Sequence, residues 1–274
     1  MHVKVPASSA NLGPGFDALG MALSLHFECG TSDAPDGASK AEERHPAMDA
    51  FRRAGGTGDL WVRGRIPMGR GLGFSGAARV GGILAAHAQR GVDDVGAVRR
   101  EILHLATELE GHPDNVAASL VGGVTASAGG DVAAVPVAFP AAIVVWIPDF
   151  TTSTDKSRTA IPQQIPLADA VFNIGRATLL LAALASGDRG VLREATRDRL
   201  HQDRRLADAP ASAEALRAAL GTPALAAWLS GSGPTVAAMC DPVDAGAVAA
   251  ALPAGGTVKV LDIDVDGARL VPTA

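Results

Sequence analysis

"RGLGFSGAAR", residues 70–79, decides how the rest of the chain is read. Glycines fall at 71, 73 and 76, arginines stand at both ends, and small residues follow Ser75. A polyphosphate needs several N–H donors converging on its oxygens with no side chain in the way. Gly71 and Gly73 let the backbone come that close. A helix starting at about Ser75 aims its unpaired N–H groups and positive dipole end at the same place. The small residues Gly76, Ala77 and Ala78 keep that end uncrowded. The stretch matches neither G-x-x-x-x-G-K-[ST] nor G-x-G-x-x-G. Alone it is a weak signal and reads more readily as a plain tight turn. Two more glycine turns, "NLGPGFD" (11–17) and "LSGSGPT" (229–235), would fit with it around one crevice lined by main chain.

Working outward, "GDLWVRGRIP" (58–67) alternates, with Leu60 and Val62 on one face and Trp61, Arg63 and Arg65 on the other. "SGAARVGGILAAHAQRG" (75–91) is a small-residue helix stopped by glycine. "VGAVRREILHLATELEG" (95–111) is an amphipathic helix whose face carries Val98, Ile102, Leu105 and Leu109. Upstream, "HVKVPAS" (2–8) and "MALSLHFEC" (21–29) are strands, 30–44 is an exposed loop, and "HPAMDAFRRAG" (45–55) is a helix. Downstream, "HPDNVAASLVGGVTAS" (112–127) is a turn, a short helix and a Gly-Gly bend. The apolar stretch 132–148 is interrupted by Pro136, Pro140 and Pro148, so it reads as two short buried strands and not a membrane span. Residues 168–188 form an apolar helix, 191–205 a charged helix, and 226–240 a strand, glycine turn and strand. A last helix at 245–256 and a last strand at 258–270 close the chain. Strands pair as often as they alternate with helices, which favours α+β. The composition break near 130–142 divides the chain into 1–138 and 139–274.

At 274 residues the chain can bury one large or two modest cores. A net charge of −5 gives no global reason to bind nucleic acid or an anionic membrane. Cys29 and Cys240 make neither a disulfide framework nor a zinc spacing. The first residues lack a signal peptide's apolar run, so a cytoplasmic location is expected.

Four segments then occur in one order: "PASSANLGPGFDALG" (6–20), "IPMGRGLGFSGAA" (66–78), "ELEGHPDNVAASLVGG" (108–123) and "LSGSGPTVAAM" (229–239). Together they resemble the homoserine kinases of the GHMP small-molecule kinase superfamily. "SRTAIP" (157–162) and "DRLHQDRR" (198–205) resemble segments of the same family. The resemblance implies a two-domain α+β kinase, with a ribosomal S5 domain 2-like N-terminal half and a ferredoxin-like C-terminal half. It implies ATP and L-homoserine as substrates meeting in the cleft between them, Mg²⁺ as cofactor, and often a homodimer. The product would be O-phospho-L-homoserine, on the way to threonine.

Site residues carry over by motif. Pro67, Arg70, Gly71, Leu72, Gly73, Phe74, Ser75, Gly76 and Ala77 fall on the nucleotide side. Arg158 and Arg205 match the arginines that bind the substrate carboxylate, for which a guanidinium fork is well shaped. Asn11 and Asp17 match the substrate pocket, Asp17 holding the ammonium or orienting the hydroxyl unless it is simply an Asx-turn residue. His112, Asp114 and Asn115 fall beside the amino acid, with one of the last two expected to cap the following helix. Ser75 and Glu108 are the expected Mg²⁺ ligands, Glu110 being the competitor two residues along. With Asp17 they make up the expected catalytic set, acting in an in-line transfer for which no particular side chain is assigned as base.

Four departures stand out. Phe74 replaces a serine of the family's loop, Gly76 replaces an alanine, and Arg79 stands where the family carries a small or apolar residue. Arg79 offers a partner to phosphate or to a nearby carboxylate. The family's adenine-side segment has no clear match, "HPAMDAF" (45–51) occupying its place. These departures keep two other readings open: a GHMP-type kinase of another small hydroxy acid, and a non-catalytic amino-acid-binding protein on the same scaffold.

Overall fold

A computed structural model describes residues 2–151, 154–159 and 161–271. It opens on a long antiparallel pair, β1 (His2–Ala10) and β2 (Leu19–Gly30), joined by the first glycine turn. Val3, Val5 and Ala7 alternate into the core. The register then shifts between Pro6 and Ala7. Proline has no N–H for the ladder, so a bulge there is natural. Beyond it both Ser8 and Ser9 are buried.

β2 serves two branches. Its Phe27–Gly30 end pairs with β4 (Trp61–Gly64), which carries β3 (Ser39–Lys40). Its Leu19–Met21 end pairs with β5 (Val124–Ala128), which carries β6 (Asp131–Val135). Helices α1 (Pro46–Arg53), α2 (Phe74–Gln89), α3 (Val95–Glu110) and α4 (Asp114–Val121) cover the sheet, with α2 and α4 against β1 and β2. The small residues of α2 have a packing reason. A Cβ on Gly82 would lie 2.0 Å from the Ala47 carbonyl oxygen, so α1 and α2 touch backbone to backbone.

The second sheet has the order β10 (Gly256–Leu261), β7 (Ala142–Pro148), β9 (Val236–Cys240), β8 (Ala226–Leu229), all antiparallel. Between β7 and β8 lie α5 (Thr154–Thr159), α6 (Leu167–Ser186), α7 (Leu192–Ala195), α8 (Gln202–Ala207) and α9 (Pro210–Leu220). α10 (Ala245–Ala251) joins β9 to β10. This is the split βαβ connectivity of a ferredoxin-like sheet. One apolar core runs from Val3 and Leu23 of the first sheet to Val145, Trp228 and Met239 of the second.

Several expectations are corrected. The 258–270 segment is not one strand: β10 ends at Leu261, and β11 (Arg269–Val271) crosses back to pair with β1. A division at 138 therefore leaves the last strand with the wrong sheet. β6 is largely exposed, not buried. The charged helix at 191–205 breaks after Ala195 and resumes at Gln202. At the break, the Asp198 carboxylate accepts from the backbone N–H groups of Leu200, His201 and Gln202, replacing helical bonds. α9, which begins on Pro210, goes unmarked in the sequence reading. Among the described residues, α6 alone is long and apolar enough to cross a membrane. Its inner face buries Leu180, Ala183 and Leu184 in the core, and Asn173 on the same helix donates to the Pro14 carbonyl.

Candidate active site

The three glycine turns meet. The Ser8 N–H donates to the Leu72 carbonyl, and the Thr235 N–H to that of Arg70. The Gly231 N–H reaches the Ala10 carbonyl. Ser230 donates its hydroxyl to the Gly71 carbonyl at 2.6 Å and bonds the Ser9 hydroxyl at 2.8 Å, which in turn accepts from the Trp228 indole. This seam holds Gly71 against the third turn. A Cβ there would lie 2.3 Å from the Ser230 carbonyl oxygen, and its φ is +75°.

α2 starts on Gly73, in the left-handed region at φ +67°, and no side chain caps it. Its first-turn N–H groups are thus left for whatever enters the cavity. The cavity, of about 120 Å³, lies between this helix start, the 11–17 turn, the start of α4 and the third turn. That is small beside a typical ligand pocket, on the scale of a small polar molecule.

The first turn is strained where it faces the cavity: Asn11, Leu12 and Asp17 all have positive φ. Asn11 holds it, accepting from the Asp17 N–H at 3.1 Å and donating to the Gly231 carbonyl at 3.0 Å. The same carbonyl accepts from Arg205 Nη1 at 2.9 Å. Arg205 is 7% exposed and its Nε is buried without a hydrogen-bond partner among the described residues. Burial foremost, and then the charge of Arg158, lowers its pKa to about 10, so it stays protonated at neutral pH. Arg158 pairs with Asp17 at 2.5 Å. Both guanidinium groups stand 5.4 Å from the Phe16 ring centre. The result is an acid beside two cations, one of which has an unsatisfied N–H.

His201 sits behind Arg205. Its Nδ1 accepts from Arg205 Nη1 at 3.1 Å, because arginine has nothing to accept with, so Nε2 carries the proton and donates to the Gly13 carbonyl at 2.8 Å. Burial foremost holds its pKa below the usual value, against the pull of Asp198 and with the help of Arg205. For Asp198, burial raises the pKa, but His201, the Asn173 amide and two backbone N–H groups outweigh it and leave a net lowering. Both shifts have the same sign of effect. An unfolded histidine takes up a proton below about pH 6.5 that the folded one resists, so stability is complete above that pH and falls as the pH drops. The midpoint of urea unfolding is expected to fall between about pH 7.5 and about pH 5.5, and to fall less in His201→Gln.

Most of the expected site residues come together. Asn11, Asp17, Pro67, Arg70, Gly71, Leu72, Gly73, Phe74, Ser75, His112, Asp114, Asn115, Arg158 and Arg205 all line the one cavity. Gly76 and Ala77 lie buried one step further along α2. Of the two glutamates it is Glu110 that lines the cavity, while Glu108 is exposed to solvent. Arg70 is spent on the carbonyls of Pro148 and Asp149 and ties the loop to the end of β7. Neither Asp114 nor Asn115 caps α4; Pro113 is at the cap position. Asp114 instead accepts from the Asn115 N–H at 2.7 Å, and Asn115 accepts from the Ser8 hydroxyl at 2.8 Å. The ring of Phe74 stands edge-on to Phe27 and His45, at 6.0 and 5.8 Å, so its bulk joins the core of the first sheet. His201, Ser9 and Ser230 were not singled out in the sequence. His201 and Arg205 are four apart, a spacing that marks side-chain neighbours on a helix.

Residues 41–123 match the family of GHMP kinases N terminal domain, and residues 180–257 the GHMP kinases C terminal family. A homoserine kinase of Moorella thermoacetica is 44% identical over 260 residues, covering 87% of this chain and 86% of that protein. One from Streptomyces avermitilis is 40% identical over 299 residues, covering 100% of this chain and 96% of that protein. Among solved structures, the homoserine kinase of Cytophaga hutchinsonii superposes with a TM-score of 0.85 at 25% identity, over 99% of this chain and 97% of that one.

Proposed function

Because the chain belongs to the homoserine kinases of the GHMP kinase family, we propose that its cavity binds L-homoserine by both charged ends and presents the hydroxyl to the loop at 71–75. The reaction is transfer of the γ-phosphoryl group of ATP to that hydroxyl, giving ADP and O-phospho-L-homoserine, a step towards threonine. The observation that carries the pose is the buried Arg205, its Nε unsatisfied, beside the Arg158–Asp17 pair. Arg158 and Arg205 take the carboxylate, and Asp17 takes the ammonium. A zwitterion thus enters an existing ion pair and replaces each partner's contact with one of the opposite charge. Phe16 holds the two guanidinium planes in place. Asn11 fixes Asp17 through its N–H.

Opposite them, the N–H groups at the start of α2 receive the phosphate oxygens, and the Ser75 hydroxyl adds a side-chain donor. Donors fixed before the reaction stabilise the charge that develops on the transferring group without having to reorganise. Holding hydroxyl and phosphoryl in line supplies the rest. Family members use ATP, usually with Mg²⁺, but the residues that the resemblance offers as ligands do not fit a protein-held cation here. The Ser75 oxygen and the Glu110 carboxylate are both occupied by Arg79. Among the described residues no group of three or more His, Cys, Asp or Glu is placed to hold a metal. The location expected for such a biosynthetic enzyme is the cytoplasm.

ADP release by the purified protein with Mg²⁺-ATP tests the reading, with L-homoserine, mevalonate, shikimate and pantoate offered in turn. Release with homoserine alone is expected. Release with another alcohol, or binding of homoserine without turnover, contradicts it.

A further inference from the structure

Arg79 lies one turn beyond Ser75 on α2, and that spacing stacks the two side chains. Its Nη1 is 2.5 Å from the Ser75 hydroxyl oxygen and in ion-pair contact with Glu110, the last residue of α3. The Glu110 side chain is 12% exposed and that of Arg79 21%. The Arg79 Nε is buried without a hydrogen-bond partner among the described residues. Ser75 and Glu110 line the cavity, while Arg79 fills the space between them from behind.

We propose that the Arg79 guanidinium occupies the position between Ser75 and Glu110 in which a divalent cation would otherwise be held, making it a built-in cation and a positioning residue for the phosphoryl side of the site. Two consequences follow from hydrogen-bond chemistry. Ser75 accepts from Arg79, so its one proton points elsewhere and is available to a phosphate oxygen. Glu110, neutralised by Arg79, no longer sets a bare carboxylate against an incoming polyphosphate. Without Arg79 the same pair would offer a hydroxyl and a carboxylate, the kind of small oxygen set that binds Mg²⁺ or Mn²⁺. The inference rests on the phosphoryl-transfer reading of the cavity, but its test does not use turnover.

Nucleotide-free protein is titrated with Mn²⁺ and the free ion is followed by electron paramagnetic resonance. The native protein is expected to leave the free-ion signal unchanged. Arg79→Ala is expected to gain one site, read as a loss of free-ion signal, and to lose it again when combined with Glu110→Gln. A Mn²⁺ site in the native protein that disappears in Glu110→Gln would overturn the proposal, as would a folded Arg79→Ala protein that gains no site. Should Arg79→Ala not fold, Arg79→Gln keeps the packing of the stem, removes the charge and is read in the same way. Failure to phosphorylate homoserine would leave these binding results unchanged, so the two readings fail separately.

Discussion

Replacing Arg205 by alanine is expected to lower kcat/KM for L-homoserine by about 10²–10³-fold, the usual effect of truncating one partner of a buried, hydrogen-bonded charge pair. Most of the loss should be in the KM for homoserine, because the carboxylate does not change charge during transfer and is held alike in ground and transition states. The KM for ATP should move little, since Arg205 faces the 11–17 turn and His201. The fold should survive. The Gly231 carbonyl keeps its bond from Asn11, and the neutral His201 ring keeps its bond to Gly13. Arg205→Lys is expected to recover little, because an ammonium cannot satisfy Nδ1 of His201, the Gly231 carbonyl and a carboxylate in one plane. Steady-state kinetics in both substrates, with a melting curve for each variant, checks all three statements. Unchanged homoserine kinetics in Arg205→Ala would remove the carboxylate from this end of the cavity.

The second large effect is expected at Gly71. Alanine there meets the Ser230 carbonyl at 2.3 Å and that of Gly233 at 2.8 Å, both backbone atoms that no rotamer change can clear. It also has to adopt φ +75°. The loop must therefore lift off the third turn, which breaks the bond from Ser230 and moves the start of α2 relative to the two arginines. A displacement of that size costs about 10²-fold or more in rate, because in-line geometry is lost, and about 2–3 kcal/mol of stability. Gly91→Ala separates strain from collision. Gly91 has φ +88° but nothing within 4 Å of a Cβ, so a cost of about 1 kcal/mol and native kinetics are expected. Thermal melts and kcat for the two variants decide it. Native turnover in Gly71→Ala would show that the seam between the turns does not position the loop.

Why these parts of the molecule were readable in sequence, and others not, has physical causes. The glycine turns are legible because close backbone approach and positive φ exclude most side chains, so the requirement is written in residue identity. Amphipathic helices and alternating strands are legible for the same local reason, as with α3 and β1. The choice between Glu108 and Glu110 turned on helix phase. The fully buried residues of α3 are Ile102, Leu103 and Ala106, and Glu110 follows them at i+4 and i+7 while Glu108 turns to solvent. A face drawn through Leu105 and Leu109, both only partly buried, is rotated far enough to favour the wrong acid. The return of β11 to β1 had no local signal at all, since pairing between His2 and Val271 is decided by sheet edges and not by either segment's composition. Asp198 illustrates a third cause: its side chain competes with the helix for backbone N–H groups, and a charged run that scores as one helix breaks at that residue. The departures Phe74 and Arg79 were visible as residues, but where their side chains go was decided by Phe27, His45, Ser75 and Glu110.

A crystal structure of the protein with L-homoserine and a non-hydrolysable ATP analogue tests the central claim most directly. The carboxylate is expected at about 3 Å from both Arg158 and Arg205, the ammonium on Asp17, and the hydroxyl in line with the terminal phosphoryl group at the start of α2. A carboxylate seated on the 71–75 loop, or a hydroxyl turned away from it, would contradict the account.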